Sequence, residues 1–381
     1  MKIKVGIIGM GSQGSFYADV IQSGKVKNME LTTLCSRSEE KRTYFSKKFK
    51  NIEFYKDYNE MFDSGNVDAV IICTPHYSHP KIAKAALKKS VHILVDKPAG
   101  VAAKDVRLLN DISDQYSNLA YGLIYNQRTN RLYRELKKVI DEKRIGNIRN
   151  IHWLNTVHWR PDVYYKQNTW RATWYGEGGG VLINQAAHQI DLLQWLFGVP
   201  KKLFAKLKFG YQRKIAVEDD ATLIFEYGNG ATGIFVTRTH DLLGTDRLEI
   251  LGDKGKILVE NNKSIIIKSL HKPEKEMNFE TKIADIPKIV QSNNVASIYE
   301  EEELYFKDIW GEQHVEVFEN FANNILYREP LIAPGLEGIN SVQILNAAYL
   351  SGWTENEVTL PVEEDYFEKV LQERIEMERR N

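Results

Sequence analysis

Three groups of residues in this sequence combine types and spacings that could do chemistry. Lys97 stands in Asp96-Lys97-Pro98, directly after the apolar run Val91-His92-Ile93-Leu94-Val95. An ammonium at the mouth of a buried strand is partly desolvated, which lowers its pKa and lets it donate to a reacting hydroxyl or carbonyl oxygen. His188 follows Gly178-Gly179-Gly180 in a segment whose spacing predicts a helix from about Leu182 to Leu196. On that helix Asn184, His188 and Asp191 fall on one stripe, opposite an apolar stripe of Ala186, Ile190, Leu193 and Phe197. Three polar side chains on one face of an apolar helix are costly to bury without partners, so they are expected to line a site. His188 is its natural proton acceptor, because an imidazole titrates near neutrality. The third group runs Trp159-Arg160-Pro161-Asp162-Val163-Tyr164-Tyr165, then Trp170-Arg171 and Trp174-Tyr175. Flat aromatic faces with guanidinium and hydroxyl groups suit a polyhydroxylated ring, although an aromatic core or subunit contact has the same composition. His152, His158 and His240 stand apart from any metal-ligand spacing, so no metal is expected.

These residues need elements to hold them, and the first is at the start of the chain. An apolar run over residues 3 to 8 leads straight into Gly9-x-Gly11-x-x-Gly14, and Phe16 to Ile21 continues with helical spacing. In a dinucleotide-binding unit Gly9 makes the turn, Gly11 lets the backbone approach a pyrophosphate, and Gly14 lets helix and strand pack closely. The first-turn N–H groups, around Ser12 and Gln13, then face the phosphates. Met29 to Cys35 reads as a second strand. An acid about 20 residues beyond the glycines would take the ribose hydroxyls of NAD there. This chain has Ser36-Arg37-Ser38 instead. A guanidinium and hydroxyls in place of a carboxylate favour NADP over NAD, unless Arg37 only stacks on the adenine or faces solvent.

Asp68 to Cys73 reads as a third strand, ending in Thr74-Pro75-His76-Tyr77-Ser78-His79-Pro80. Ile82, Ala83, Ala86 and Leu87 mark the helix after it, and Val91 to Val95 a fourth strand. Strands alternating with helices predict an α/β domain with a doubly wound parallel sheet, whose ligands bind beyond the carboxyl ends of the strands. Thr74, Pro75, His76, His79, Asp96 and Lys97 therefore join the glycine turn as candidate cofactor contacts. A helix around Val106, Leu109 and Ile112 and a short strand from Ala120 to Ile124 follow. Tyr125-Asn126-Gln127-Arg128 then marks a domain boundary, with Asn126 and Arg128 as substrate candidates. After an amphipathic helix through Leu132, Leu136, Val139 and Ile140, the pattern changes at Ile148 to longer alternating strands. Asn150 to Val157, Lys202 to Gly210, Ala221 to Tyr227, Ala231 to Thr239, Arg247 to Leu251 and Lys256 to Glu260 predict a large, mostly antiparallel sheet. Residues 270 to 305, polar and poorly periodic, read as an insertion or lid. Helices are expected over His314 to Leu326, Asn340 to Leu350 and from Asp365 to the end. The expected domains are 1–125, 126–355 and a helical extension over 356–381.

A chain of 381 residues is long enough for two such domains. Its 51 basic and 51 acidic residues balance, which argues against nucleic acid or an anionic membrane as partner. No apolar run approaches the ~18 to 20 residues of a membrane span, and the N-terminal run lacks a signal-peptide cleavage site. Cys35 and Cys73 read as buried free thiols in a reducing compartment, so a cytoplasmic protein is expected.

The glycine turn, Thr74-Pro75 with His79, Asp96-Lys97-Pro98 and the Gly178-Gly179-Gly180 to His188-x-x-Asp191 segment together resemble the glucose–fructose oxidoreductase and inositol dehydrogenase family, Gfo/Idh/MocA. The resemblance covers residues 1 to about 355 and implies a Rossmann domain followed by an α/β domain with a large open sheet that forms dimers or tetramers. It also implies NAD or NADP chemistry on sugars, cyclitols and their derivatives. The family's catalytic lysine falls on Lys97, with Asp96 in place of the usual glutamate. Its histidine falls on His188. The aspartate that usually precedes that histidine is Asn184 here, and Asp191 matches a supporting aspartate. The implied activity is oxidation of a ring secondary alcohol to a ketone. A nucleotide-linked sugar is an alternative substrate that Arg128, Arg160 and Arg171 allow. A non-catalytic cofactor-binding regulator is another alternative, against which the retention of Lys97 and His188 argues.

Overall fold

The computed structural model describes residues 2–290, 298–307, 309 and 311–380. The first half alternates strands and helices: β1 (Ile3–Ile8), α1 (Ser12–Gln22), β2 (Met29–Cys35), α2 (Glu39–Lys48), β3 (Glu53–Tyr55), α3 (Tyr58–Asp63), β4 (Ala69–Ile72), α4 (His79–Lys88), β5 (His92–Val95), α5 (Ala103–Gln115) and β6 (Tyr121–Leu123). The strands form one parallel sheet in the order β3-β2-β1-β4-β5-β6. β1 and β4 are apolar on both faces because helices cover both. On one side Ile7, Leu34 and Ile71 pack with Tyr17 and Ala18 of α1. On the other, Ile8, Val70 and Ile93 pack with Ile82 and Ala86 of α4 and Leu109 of α5. The chain leaves β1 toward β2 on one side and reaches β4 on the other. A crevice therefore opens beyond the carboxyl ends of β1 and β4, beside that of β5.

The second half begins with α6 (Arg131–Asp141), β7 (Ile148–Asn155), α7 (Asp162–Tyr165) and α8 (Ala187–Phe197). β8 (Lys202–Phe209), β9 (Glu218–Glu226), β10 (Thr232–Arg238), β11 (Asp246–Gly252), β12 (Gly255–Glu260) and β13 (Ser264–Leu270) follow. Then come α9 (Glu274–Glu280), α10 (Ile286–Val290), β14 (Tyr299–Tyr305), α11 (Glu312–Tyr327), α12 (Gly338–Thr354), β15 (Val358–Thr359) and α13 (Glu364–Arg380). These strands make a sheet in the order β14-β13-β12-β11-β7-β10-β9-β8-β15, antiparallel except where β7 meets β10. Its inner face buries Trp153, Leu223, Phe235 and Ile257 against Leu136 of α6, Ile190 and Leu193 of α8 and Leu345 of α12. Leu154, Ile224 and Ile234 stand exposed on the opposite face. α11 returns to the first sheet, where Val317, Phe318 and Phe321 join the α1 side of its core.

Two expectations need correction. The helix predicted from Leu182 begins only at Ala187, and residues 181 to 186 are turns. The backbone N–H groups of Gly180, Val181 and Leu182 are all held by Glu218, through its carboxylate or its carbonyl, which docks this segment onto β9 before the helix starts. Residues 270 to 305 are not simply a lid. β13 and β14 pair as the outer strands of the sheet, with α9 and α10 between them, and 291–297 lie outside the described residues. β14 reads as polar because it is an edge strand, Tyr-Glu-Glu-Glu-Glu-Leu-Tyr, and charge on an edge opposes pairing with other chains.

Candidate active site

The glycine turn is shaped for a dinucleotide. Gly9 has φ +100°, and a Cβ there would lie 2.6 Å from the Cys73 carbonyl oxygen. A Cβ on Gly14 would lie 2.1 Å from the Gly9 carbonyl oxygen, so helix and turn are in contact there. Gly11 differs: a Cβ would meet nothing within 4 Å. That open space lies at the mouth of α1, where Gly11 is the N-cap without a side-chain cap bond and the first turn carries no acid. The first N–H to find a helical partner is that of Ser15, on the Gly11 carbonyl. Those of Ser12, Gln13 and Gly14 are left for an anion, and the cradle fits a pyrophosphate. At the end of β2 Arg37 is exposed. Arg42 reaches back to donate to the Ser36 and Arg37 carbonyls at 2.9 and 3.2 Å, bringing a second guanidinium to the same corner.

The loops after β4 and β5 are tied to each other. His79 is 1% exposed, with its ring nitrogens 2.8 Å from the Pro98 carbonyl and 2.6 Å from that of Thr74. Ser78 donates to Thr74 Oγ1 at 2.7 Å. His76 is buried and sets Nδ1 2.9 Å from the Glu177 carbonyl. His79 therefore braces the loops with both ring nitrogens rather than presenting one to a cofactor, a correction that its burial explains, and His76 ties its loop to Glu177 through Nδ1. Asp96 is also buried. It accepts from the Lys97 N–H at 2.9 Å and from Tyr17 Oη–H at 3.4 Å, and burial raises its pKa. Among the cofactor candidates the open frame is thus the glycine turn, Thr74-Pro75 and the corner at Ser36 and Arg37.

Lys97 projects from the end of β5 toward the second domain. Its Nζ donates to the Asn184 carbonyl at 2.6 Å and lies 3.5 Å from Asn184 Oδ1. The Asn184 amide in turn donates to Glu177 Oε1, while Glu177 Oε2 accepts from the Ala172 N–H at 2.6 Å. Burial lowers the Lys97 pKa, Asp96 and Glu177 oppose that, and Arg171 and Arg160 add to it. His188 stands in the first turn of α8, edge-on to Tyr125 with ring centroids 6.5 Å apart. Burial, then the charges of Lys97, His314 and His158, hold it well below the ordinary histidine value, so it is a neutral imidazole at neutral pH. Its Nδ1 is buried and has no hydrogen-bond partner among the described residues. His158 and His314 are likewise depressed by burial, each to about 4. The substrate candidates nearby are stacked on one another. Arg171 lies 4.8 Å from the Tyr164 ring and 4.9 Å from that of Trp170, donating to Tyr164 Oη at 2.7 Å, and Arg160 lies 5.1 Å from the Tyr164 ring.

Several predicted site residues lie elsewhere. Arg128 is 1% exposed and forms a two-pronged ion pair with Asp191, Nη2 to Oδ1 at 2.7 Å and Nε to Oδ2 at 2.8 Å, with Glu337 at 2.5 Å. Neither Arg128 nor Asp191 is available to substrate, and of the predicted polar stripe only His188 belongs to helix and site together. Asn126 is buried, donating to Gln313 Oε1 at 2.8 Å. Trp174 is core. It packs edge-on against Tyr349 and Trp353 at 5.2 and 5.0 Å, and its indole N–H donates to the Ala216 carbonyl. Sequence reasoning passed over Glu177, His158 and His314. The only local signal for Glu177 was a lone acid before three glycines, and for His158 its place beside Trp159-Arg160.

Residues 3–121 match the model of an oxidoreductase family with an NAD-binding Rossmann fold, GFO/IDH/MocA, and residues 133–258 match that of the GFO/IDH/MocA C-terminal domain. The myo-inositol 2-dehydrogenase of Thermotoga maritima is 23% identical over 265 residues, spanning 68% of this chain and 75% of that protein. Two solved structures share the fold. The WlbA dehydrogenase of Bordetella pertussis, in complex with NADH and UDP-GlcNAcA, superposes with a TM-score of 0.76 at 23% identity, over 95% of this chain and all (100%) of that one. Levoglucosan dehydrogenase, in complex with NADH and levoglucosan, gives 0.79 at 19% identity with the same coverage of 95% and 100%.

Proposed function

We propose that this chain, which belongs to the Gfo/Idh/MocA family of NAD-binding oxidoreductases, reversibly oxidises a ring secondary alcohol of a sugar, cyclitol or related derivative to the ketone. One observation carries the reading: Lys97 Nζ, held at 2.6 Å by the Asn184 carbonyl, shares a site with His188, whose buried Nδ1 has no hydrogen-bond partner among the described residues, beside the glycine cradle. When bound, the dinucleotide supplies the two-electron hydride acceptor or donor. His188 takes the hydroxyl proton, for which a neutral imidazole is the required form. Lys97 donates to the same oxygen and stabilises the negative charge that develops on it as the proton leaves. Glu177 and Asn184 fix where that ammonium points. Tyr164, Trp170, Arg160 and Arg171 form the wall on which the ring rests. The test is nicotinamide reduction with a panel of inositols and free sugars: turnover of any of them supports the assignment, and inertness of all of them, with cofactor binding intact, favours a non-catalytic role.

The cofactor we assign is NADP, because Arg37 and Arg42 together offer a 2′-phosphate two guanidiniums and the residues directly after β2, Ser36-Arg37-Ser38, include no carboxylate. The working division is a cofactor domain over 1–125, a substrate and assembly domain over 126–355 and an extension over 356–381. Assembly as a homodimer or homotetramer through the open sheet face, with Leu154, Ile224 and Ile234 at its centre, would cover that apolar surface. Light scattering on the purified protein tests it. The free thiols Cys35 and Cys73 suit a cytoplasmic enzyme.

A further inference from the structure

The wall beside Lys97 holds more positive charge and more hydrogen-bond donors than the protein itself satisfies. Glu177 is the buried carboxylate facing Lys97 and Arg171, and each of its oxygens already accepts one hydrogen bond, one from the Asn184 amide and one from the Ala172 N–H. Arg171 Nη1 stands 3.8 Å from Glu177 Oε1, an ion-pair distance too long for a hydrogen bond. The Arg171 guanidinium donates from Nη1 to Tyr164 Oη, and its Nε–H is buried without a partner among the described residues. Arg160 donates from Nη1 to the neighbouring Trp159 carbonyl and stacks on the same Tyr164 ring. Its own carbonyl is occupied by Arg213 Nε at 2.6 Å, which fixes the backbone from which it projects. Three cations, Lys97, Arg160 and Arg171, thus share a site with Glu177 there and Asp96 behind the lysine.

A hydroxyl-bearing ring alone does not need this. A buried donor such as the Arg171 Nε–H is costly to leave unpaired, and a planar fork of N–H groups matches an oxyanion best. We infer that the substrate's ring carries an anionic substituent, a carboxylate or a phosphate, and that Arg160 and Arg171, which both lie against the Tyr164 ring, receive it. The inference rests on the proposed function for the reacting hydroxyl, and adds what stands next to it on the substrate. Tyr164 holds both guanidiniums in place by stacking, so the anion meets a preorganised pair and the ring it belongs to meets the aromatic faces.

Calorimetric titration of the NADPH-loaded protein with matched acid and neutral compounds tests this: glucuronate and glucose 6-phosphate against glucose, and galacturonate against galactose. In at least one set the acid binds about 10- to 100-fold more tightly than its neutral parent, the span expected for charge-assisted hydrogen bonds to a guanidinium pair. The uronates separate a carboxylate from a phosphate source. In Arg160→Met and in Arg171→Met the preference falls to within about threefold, while NADPH affinity, whose proposed contacts are the glycine turn and the corner at Ser36 and Arg37, is retained and shows the variants to be folded. Parity of acid and neutral compound in every set, including no measurable binding of any acid, overturns the inference. So does a preference that survives both substitutions. Hydride transfer is read separately from nicotinamide absorbance. Turnover of neutral sugars without acid preference would leave the proposed function standing and this inference refuted. Acid binding without turnover would do the reverse.

Discussion

Replacing Arg128 by methionine separates the two roles this residue could have had. The guanidinium and the Asp191 carboxylate are each 1% exposed, and the bond is two-pronged. Burial opposes the charge on Arg128, but Asp191 and Glu337 outweigh it and raise its pKa. Methionine keeps the volume and leaves Asp191 buried with, among the described residues, only Gln194 Nε2 as side-chain donor, at 2.9 Å. Glu337 is 39% exposed and recovers water. Leaving one partner of a buried pair uncompensated costs about 3 to 5 kcal/mol. For a cooperative unit of this size each kcal/mol lowers Tm by about 2 to 4 °C, so a fall of roughly 6 to 20 °C is expected in calorimetry or urea unfolding. The double variant Arg128→Met/Asp191→Asn removes both charges and is expected to be more stable than the single variant, because it buries no lone carboxylate. A single variant that lost less than about 1 kcal/mol of stability while sharply raising KM would refute this and return Arg128 to the substrate.

Gly11→Ala places its methyl in open space with an ordinary backbone, φ −83°, so it should cost less than ~1 kcal/mol of stability yet weaken dinucleotide binding by about 100-fold or more, read by nicotinamide fluorescence. Arg37→Ala should weaken NADPH by about 10- to 100-fold with little change for NADH; equal losses for both would make Arg37 an adenine contact. Glu218 is raised from 4.5 to about 7 by burial, against the N–H bonds of Leu182 and Gly180. An acid raised on folding binds its proton more tightly in the native state, so its stability contribution is full below pH about 4.5 and lost as pH rises through about 7, roughly 3 kcal/mol in all. Glu218→Gln, which cannot ionise, should flatten that part of the stability–pH curve, and an unchanged slope between those values would show that Glu218 is not its source.

What could be read from residues alone was what short stretches encode. The run into Gly9-x-Gly11-x-x-Gly14, the strand before Lys97 and the alternation of β7 to β12 carry their signals within a dozen residues, and the parallel and mostly antiparallel sheets follow from them. α2 escaped because it buries little but Phe45, and β3 because it has only Glu53, Phe54 and Tyr55. Long-range partners set the rest. Arg128 meets Asp191 across 63 residues, so the site-like polar stripe of α8 was partly an ion pair. Glu218 holds Leu182 across 36 residues and delays the helix by a turn. Trp174 and Trp170 look alike in sequence, yet one lies in the core with Tyr349 and the other stacks on Arg171 at the site. The carboxylate missing at Asn184 reappears as Glu177, bonded to the Asn184 amide, which no spacing rule would have connected.

The most direct test of the catalytic site is Lys97→Met, assayed for nicotinamide reduction with whichever sugar or cyclitol the wild-type protein oxidises, with NADPH binding measured in parallel. Loss of the ammonium that faces the reacting oxygen should lower turnover by about 10³-fold while cofactor affinity stays within about threefold of wild type. Near-normal turnover in that variant would contradict the placement of Lys97 at the centre of the chemistry.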